Sequence, residues 1–476
     1  MEFQFLPFNF TTFLLFTTFI FLLVKGWKKS KSLDNNKKLP PSPGWKLPLI
    51  GHLHLMMGAL PHRALSKLSN QYGPILHLKL GEVSSIVISS RDIAKKVLTV
   101  NDLAIADRPE SIGMKTLWYD YKDLAFSPYN EHWRQMRKIC IMELLSNKNV
   151  RSFGYIRLDE TSSLIKTIQS YRGKPFNITD NIFSFTSAVT SRAAFGEILK
   201  EQDTLIEFMK KGVALAGGFE LADLYPSLTF LQVLSWNKHQ LLKMRRKLDS
   251  ILDVMLNEHK EKLAGGKRDN REFGSENIVD VLLRKQLSGE LDVPITDDNI
   301  KAIIFDMFTA GTETSSTTFD WTMTELMRNP HENFRVHPAV TILPRACREE
   351  CEVDGYTIPY KAKVAINIWA LGRDPEYWEE PEIFKPERFE NSSVDFLGNN
   401  YEYIPFGSGR RFCPGMNFGI ANIDVPLAQL LYHFDWKLPH GANPSDLDMS
   451  EIPGVSVQRK NNLYVIATPY NPPIED

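Results

Sequence analysis

The chain has few cysteines and almost no net charge. Only four of its 476 residues are cysteine, and no two of them form a C-x-x-C pair, so a disulfide-stabilised scaffold is not expected and a reducing compartment is favoured. Basic residues number 56 and acidic residues 57, which lacks the basic excess typical of nucleic-acid binders. We therefore expect no nucleic-acid partner. The four cysteines are Cys140, Cys347, Cys351 and Cys413.

The amino terminus, in contrast, carries a long run without any charge. Residues 3–24 include eight phenylalanines, and as a helix these 22 residues would span roughly 33 Å, enough for a hydrocarbon core of about 30 Å. Basic residues follow the run from Lys25 onward, whereas a cleaved signal peptide carries them before it. The pattern therefore favours a retained membrane anchor at residues 1–24 and disfavours a cleaved signal peptide. The basic residues after the anchor place the rest of the chain in the cytosol.

Residues 406–415 read Phe-Gly-Ser-Gly-Arg-Arg-Phe-Cys-Pro-Gly and set one cysteine in a glycine-rich loop. Gly409 and Gly415 are expected to allow a tight turn that brings backbone N–H groups toward the sulfur of Cys413, as a thiolate ligand of haem iron requires. Arg411 is suited to pair with a haem propionate, and Phe406 to shield the loop. The alternative is a buried free cysteine after a glycine-rich turn.

The pattern Phe406-x-x-Gly409-x-Arg411-x-Cys413-x-Gly415 resembles the cysteine-ligand loop of the cytochrome P-450 superfamily of haem-thiolate monooxygenases. The resemblance implies a mainly α fold with small β-sheets and haem b as cofactor, with Cys413 as iron ligand and Phe406, Arg411 and Gly415 in the cofactor site. A thiolate ligand favours O–O cleavage.

The sequence predicts one long helix from Asp297 to about Arg328, because Thr296 offers an N-cap and no proline interrupts the pattern. Gly311 inside it suggests a close approach of another group or, alternatively, a helix-packing contact. The surrounding Ala-Gly-Thr-Glu-Thr segment resembles the family's oxygen-activation segment, which implies proton delivery by Glu313 and Thr314.

Two further segments match family positions that bind the haem propionates. Trp133 and Arg137 are one turn apart on a predicted helix; without the resemblance they would indicate an exposed basic helix face. With it, both are candidate propionate ligands, and Arg345 matches a third.

One part of the chain departs from the family. Glu332-x-x-Arg335, together with Arg388, resembles the family's structural Glu-Arg-Arg network, yet the segment between the oxygen-activation helix and this motif is largely missing. Asn329-Pro330 could cap a short helix. We therefore expect a shortened connection and, in a buried ion network, a risk of unpaired charge.

The resemblance divides the chain into a transmembrane anchor (1–24), a basic and proline-rich linker (25–44) that acts as a spacer, and a haem-binding monooxygenase domain (45–476). It implies a single-pass protein of the endoplasmic reticulum membrane that hydroxylates an apolar small molecule, most similar to plant terpenoid hydroxylases. Electrons would come from an NADPH-cytochrome reductase. Two alternatives are a non-catalytic, haem-poor isoform and a haem-dependent isomerase or dehydratase, which the Thr314 hydroxyl disfavours.

Overall fold

The computed structural model describes residue 17 and residues 38–216, 220–265, 276–328 and 334–470. Helices dominate this part of the chain. They are α1 (Pro61–Tyr72), α2 (Arg91–Thr99), α3 (Ile112–Leu117), α4 (Glu131–Ile139, continued by a π-turn at Cys140–Leu144), α5 (Asn147–Ser152), α6 (Gly154–Ser170), α7 (Ile178–Phe195), α8 (Gln202–Ala216), α9 (Leu221–Leu224), α10 (Phe230–Leu234), α11 (Trp236–Ala264), α12 (Ile278–Ser288), α13 (Asp297–Arg328), α14 (Ile368–Leu371) and α15 (Met416–His433).

The strands form four small sheets. They are β1 (Ile75–Leu80), β2 (Val83–Ile88), β3 (Phe176–Asn177), β4 (Ile342–Ala346), β5 (Cys351–Val353), β6 (Tyr356–Ile358), β7 (Lys363–Asn367), β8 (Phe434–Lys437), β9 (Glu451–Ile452), β10 (Gln458–Arg459) and β11 (Tyr464–Pro469). The largest sheet has the order β1-β2-β7-β4, in which only the β2–β7 pair is parallel. The others are β3-β11-β8, β5-β6 and β9-β10. The prediction of a mainly helical fold with small sheets is confirmed.

Helix α13 begins and ends where the sequence predicted. The side chain of Thr296 accepts a hydrogen bond from the backbone N–H of Asn299, and the Asn299 side chain accepts one from the N–H of Thr296, so the first turn is capped in both directions. Most residues of α13 are buried, including the apolar stretch 302–305. The helix therefore crosses the core, and residues in its middle face α7 and α15.

The described part of the proline-rich linker is docked on the domain and is not a free spacer. The carbonyl of Pro41 accepts the N–H of His77 in β1, and that of Lys38 accepts the N–H of Thr357 in β6, each at 2.8 Å. Proline lacks an N–H, but its carbonyl can still extend a sheet edge. Residues 38–43 thus belong structurally with the domain that follows.

Two predictions concern the amino terminus and the segment after α13. The predicted anchor lies outside the described residues apart from residue 17, and among the residues described no helix has both the length and the apolar character needed to cross a bilayer. The short helix expected after Pro330 falls partly outside the described residues. Of the residues expected in it, 334–336 are described, and they form a turn.

Candidate functional site

Cys413 lies in the loop directly before helix α15. Its own N–H donates to the carbonyl of Phe406 at 3.0 Å, which closes the loop. The backbone N–H groups of Gly415 and Met416 donate to its sulfur, and these N–H groups belong to the positive end of α15. Burial nevertheless raises the pKa of the Cys413 thiol above its usual range, because desolvation outweighs the two hydrogen bonds. A bound cation would be needed to hold the thiolate form.

The loop depends on glycine at positions 407 and 409. Gly409 has φ +70°, and a Cβ there would lie 2.6 Å from Oδ1 of Asp102, so no other residue fits without movement. Gly407, which the sequence analysis did not single out, has φ +74°. Gly415 has φ −93°, an ordinary conformation, so the expectation that it supplies backbone freedom was wrong. A Cβ on Gly415 would instead stand 4.0 Å from the sulfur of Cys413.

Helix α13 brings Thr314 and Glu313 to the same region. The Thr314 hydroxyl donates to the carbonyl of Ala310 at 2.7 Å. The Glu313 carboxylate is buried and accepts from the Ser456 hydroxyl at 2.6 Å. Burial raises the pKa of Glu313 above its usual range, and the hydrogen bonds from Ser456 offset this only in part. Glu313 is thus a buried acid whose carboxyl is hydrogen-bonded to Ser456 at the edge of the cavity.

Gly311 is explained by packing between helices. A Cβ at this position would lie 3.1 Å from Cγ2 and 3.2 Å from Oγ1 of Thr190 on α7, and 3.4 Å from the ring of Phe418 on α15. Glycine therefore lets three helices approach closely in the middle of α13. The helix-packing alternative accounts for this residue.

A largely apolar cavity of about 350 Å³ joins these elements. Its walls come from α13, the cysteine loop, α4, and the strand β4 region. Eight of the nine predicted site residues line it, and Arg345 does not. The eight are Trp133, Arg137, Glu313, Thr314, Phe406, Arg411, Cys413 and Gly415. The sequence motifs, which are up to about 280 residues apart in the chain, therefore meet at one site.

Arg411 and Trp133 bind the backbone of the segment before α4. The Arg411 guanidinium donates to the carbonyls of Ala106 at 2.9 Å and Ser127 at 2.6 Å, and lies 4.1 Å over the Trp133 ring. The Trp133 indole N–H donates to the carbonyl of Leu124 at 3.0 Å. Trp133 thus supports Arg411 through its ring, and its predicted donor is already bonded.

Arg345 is fully buried, yet it is poorly satisfied. Its Nε has no hydrogen-bond partner, and its terminal nitrogens reach the carbonyls of Pro344 and Ser408 only at 3.4 Å. Burial lowers the pKa of its guanidinium well below the usual range, and the nearby charges of Arg108 and Arg411 lower it further. A buried cation of this kind is unstable unless an anion compensates it.

Arg108 is a cavity residue that the sequence analysis missed. Like Arg137, Arg345 and Arg411, it is an arginine whose hydrogen bonds, within the described part of the chain, go to backbone carbonyls and not to carboxylates. Three of these guanidinium groups line the cavity, and the buried Arg345 with its orphaned Nε lies near Arg108 and Arg411. Together they match the charge and the donor requirements of a ligand that carries carboxylates. The two propionates of haem meet this description.

A buried carboxylate pair was also missed. Asp306 on α13 lines the cavity and accepts the backbone N–H groups of Leu124 at 2.7 Å and Ala125 at 3.1 Å. Burial raises its pKa to about 7. Burial and the nearby Asp306 charge also raise the pKa of Asp123, whose Oδ1 has no partner. One acidic residue within the apolar stretch 302–308 was the available sequence signal.

The described half of the Glu-Arg-Arg network is in place. Arg335 is 1% exposed and donates to the carbonyls of Gly372, Pro381 and Ile383 at 2.7 to 2.9 Å. Arg388 also donates to the Ile383 carbonyl, at 3.2 Å. Glu332 lies outside the described residues. The two arginines thus converge on one loop, as the resemblance implied, through its backbone carbonyls.

Comparisons with known proteins give one family. The family model described as cytochrome P450 matches residues 40–332 and 331–466. The premnaspirodiene oxygenase of Hyoscyamus muticus is 51% identical over 98% of this chain and 99% of its own length, and the 5-epiaristolochene 1,3-dihydroxylase of Nicotiana tabacum is 49% identical over the same shares. A zebra fish cytochrome P450 solved with progesterone shares the fold, with a TM-score of 0.72 at 23% identity over 87% of this chain and all of that chain.

The same comparisons locate the missing segment. The alignment with the premnaspirodiene oxygenase runs over 501 positions, whereas 98% of 476 residues is about 466, so about 35 positions hold no residue of this chain. The family match is interrupted once, at residues 331–332. That point lies between the end of α13 and the turn at 334–336.

Proposed function

Because this chain belongs to the cytochrome P450 family of monooxygenases, we propose that it hydroxylates an apolar small molecule of the terpenoid class with O₂ and electrons from an NADPH-cytochrome reductase. The observation that carries this proposal is the meeting of Cys413, Thr314 and the buried arginines at one apolar cavity. The names of two relatives, premnaspirodiene oxygenase and 5-epiaristolochene 1,3-dihydroxylase, support the substrate class.

Haem b is the cofactor of this family, and when bound through a thiolate it supplies the activation of O₂. Cys413 would hold the iron, with the N–H groups of Gly415 and Met416 directed at its sulfur. Arg137, Arg345 and Arg411 would hold the propionates, and the Arg345 Nε is a donor that needs such an acceptor.

Phe406 and Trp133 would support these ligands. Phe406 packs on Phe334 and Phe396, with ring centroids 5.7 and 5.9 Å away, and so covers the cysteine loop with apolar surface. Exclusion of water strengthens the hydrogen bonds to the thiolate. The Trp133 indole N–H is already bonded to a backbone carbonyl. Trp133 would therefore act on the cofactor indirectly, because the Arg411 guanidinium is positioned over the Trp133 ring.

Thr314 and Glu313 would take part in proton delivery on the α13 side of the cavity. The Thr314 hydroxyl donates a hydrogen bond to the Ala310 carbonyl, and its oxygen can accept a hydrogen bond from water in the cavity. Burial raises the pKa of Glu313, and its carboxylate accepts a hydrogen bond from the Ser456 hydroxyl. Both residues line the cavity from α13, so a hydroxyl and a carboxyl are available there for proton delivery.

We also propose that residues 1–24 anchor the protein in the endoplasmic reticulum membrane and that the folded domain contacts the same membrane. Two exposed apolar segments support this. The first contains Trp45 and Met57, and the second lies at residues 228–236, where Trp236 is 74% exposed. The hydroxyl of Tyr225 donates to the carbonyl of Leu49 at 3.4 Å, so the two segments are neighbours. Adjacent exposed apolar side chains of this size suit a lipid surface.

The proposed function is tested by the spectrum of the purified protein. The ferrous carbon-monoxide complex is expected to show the red-shifted band of a thiolate-ligated haem. Cys413→Ala should abolish the band, and Cys140→Ala, which removes a buried thiol outside the cavity, should keep it. A spectrum typical of histidine ligation in the parent, or retention of the band in Cys413→Ala, would refute the assignment of the ligand.

A second candidate function is a non-catalytic isoform that holds haem poorly. The observation that favours it is the junction at residues 329–333, because the long helix before it is complete and the residues after it form a turn.

We expect the chain as written to incorporate less haem than a version with a family-length segment of about 35 residues inserted after His331. The measurements are the haem-to-protein ratio and the thermal midpoint of each version. A flexible insert of the same length serves as the control, since it relieves the connection without restoring the helices. Equal ratios and midpoints in all three would show that the short connection is tolerated and would refute this second candidate function.

A further inference from the structure

Two cysteines outside the cavity lie side by side. Cys347 directly follows β4, and Cys351 is the first residue of β5. Cys351 is paired with Ile358 across the β5–β6 hairpin, and the sulfur of Cys347 lies 3.6 Å from the carbonyl oxygen of that same Ile358. The Cys347 thiol donates to the carbonyl of Glu349 at 2.8 Å, and the two thiols are near enough to shift each other's pKa. Their sulfur atoms therefore converge from two different backbone positions.

The backbone fixes Cys347 in place. Its N–H donates to the carbonyl of Ala362 at 2.9 Å, and its carbonyl accepts the N–H of Lys361 at 2.8 Å. Cys351 is held by the strand pairing of β5 with β6. The three-residue connection between the cysteines (348–350) thus has both ends anchored, and the approach of the sulfur atoms is a property of the fold.

The two thiols differ in exposure and acidity. Cys347 is 1% exposed, whereas Cys351 is half-buried and reachable from solvent. The pKa of Cys351 is lowered because its sulfur accepts a hydrogen bond from Cys347, with a further contribution from the Asn101 side chain. The pKa of Cys347 is raised, because it stays protonated as the donor. An accessible thiol of lowered pKa beside a buried second thiol is the arrangement of reactive cysteine pairs.

We propose that Cys347 and Cys351 form a reversible redox site that hydrogen peroxide oxidises to a disulfide. The Cys351 thiolate attacks one oxygen of the peroxide, so that an S–O bond forms, the O–O bond breaks, and water leaves after protonation of the departing oxygen. The resulting sulfenic acid is then attacked by the Cys347 sulfur, which forms the S–S bond and releases a second water. Two thiols are oxidised and one peroxide is reduced to two waters; a dithiol reductant reverses the reaction by exchange.

The site is tested on the full-length, haem-loaded protein without reference to its monooxygenase activity. The protein is treated with a small excess of hydrogen peroxide, its free thiols are alkylated, and it is digested with trypsin. Cleavage after Arg345, Arg348 and Lys361 places the two cysteines in separate peptides, 346–348 and 349–361. The expected product is these two peptides joined by a disulfide that dithiothreitol separates.

Variants and a second probe distinguish this pair from nonspecific oxidation. Cys351→Ser should abolish the linked peptides, Cys347→Ser should leave Cys351 as a sulfenic acid that dimedone traps, and Cys140→Ser should keep the link. In the untreated parent, phenylarsine oxide should protect both peptides from alkylation, because a trivalent arsenical bridges neighbouring thiols. Full alkylation of both cysteines after peroxide, or a disulfide that joins Cys351 residues of two chains, would overturn the proposal.

Discussion

Replacement of Asp306 by asparagine gives a sharp test of the charges around the cavity. Asp306 is buried on α13, and one of its oxygens accepts the N–H groups of Leu124 and Ala125. Asparagine keeps an oxygen that can accept both hydrogen bonds but cannot ionise. The substitution therefore removes the titration and leaves the geometry in place.

The sign and size of the effect follow from the raised pKa of Asp306. Its pKa is about 7 in the folded protein and 3.8 in its ordinary state, so between these values the folded chain keeps a proton that the unfolded chain has lost. The free energy of unfolding then falls as pH rises, by about 1.4 kcal/mol per pH unit, or roughly 3 kcal/mol from pH 5 to pH 7. With an unfolding entropy of about 2 cal/mol/K per residue, a change of 1 kcal/mol in the free energy of unfolding shifts the thermal midpoint of a chain of this length by roughly 1 °C.

We expect the thermal midpoint of the parent to fall by roughly 3 °C relative to Asp306→Asn between pH 5 and pH 7, and the difference to stay constant above pH 8. The assay is loss of haem absorbance on heating, measured for both proteins at each pH. Asp123→Asn is the companion variant, because its carboxyl also has a raised pKa and lies beside Asp306. Parallel curves, or a parent that gains stability relative to the variant as pH rises, would show that the arginines keep Asp306 ionised.

Three further predictions concern the cysteine loop, α13 and the buried arginine. Gly409→Ala should destabilise the protein by about 1–3 kcal/mol more than Gly58→Ala in thermal unfolding, since both have positive φ but only the first has a Cβ position in contact with Asp102. Equal losses would contradict this. Thr314→Ala should keep the haem spectrum but yield less product and more peroxide per NADPH, and unchanged coupling would rule out the proton role. Arg345→Leu should speed haem transfer to apomyoglobin at least tenfold, because a buried charge-assisted pair is worth about 3 kcal/mol or more; an unchanged rate would mean that Arg345 does not hold a propionate.

The sequence by itself determined the features that depend on local order. Helix α13 follows from a cap at Thr296 and an uninterrupted pattern to Arg328, and both are properties of neighbouring residues. The cysteine loop is likewise a short motif, so Cys413 and its approach to the start of α15 were predictable. The interruption near residue 331 was also visible, because it changes the spacing between motifs.

The tertiary structure decided which side chains are paired and which are left unsatisfied. Whether Arg345 has an acceptor, whether the Trp133 indole is bonded, and whether Asp306 can ionise depend on residues far away in the chain. The role of Gly415 was likewise decided by the tertiary structure, because it lies close to the Cys413 sulfur and its own backbone angles are ordinary. Burial and long-range contacts set hydrogen-bond partners and pKa values, and a linear pattern contains neither.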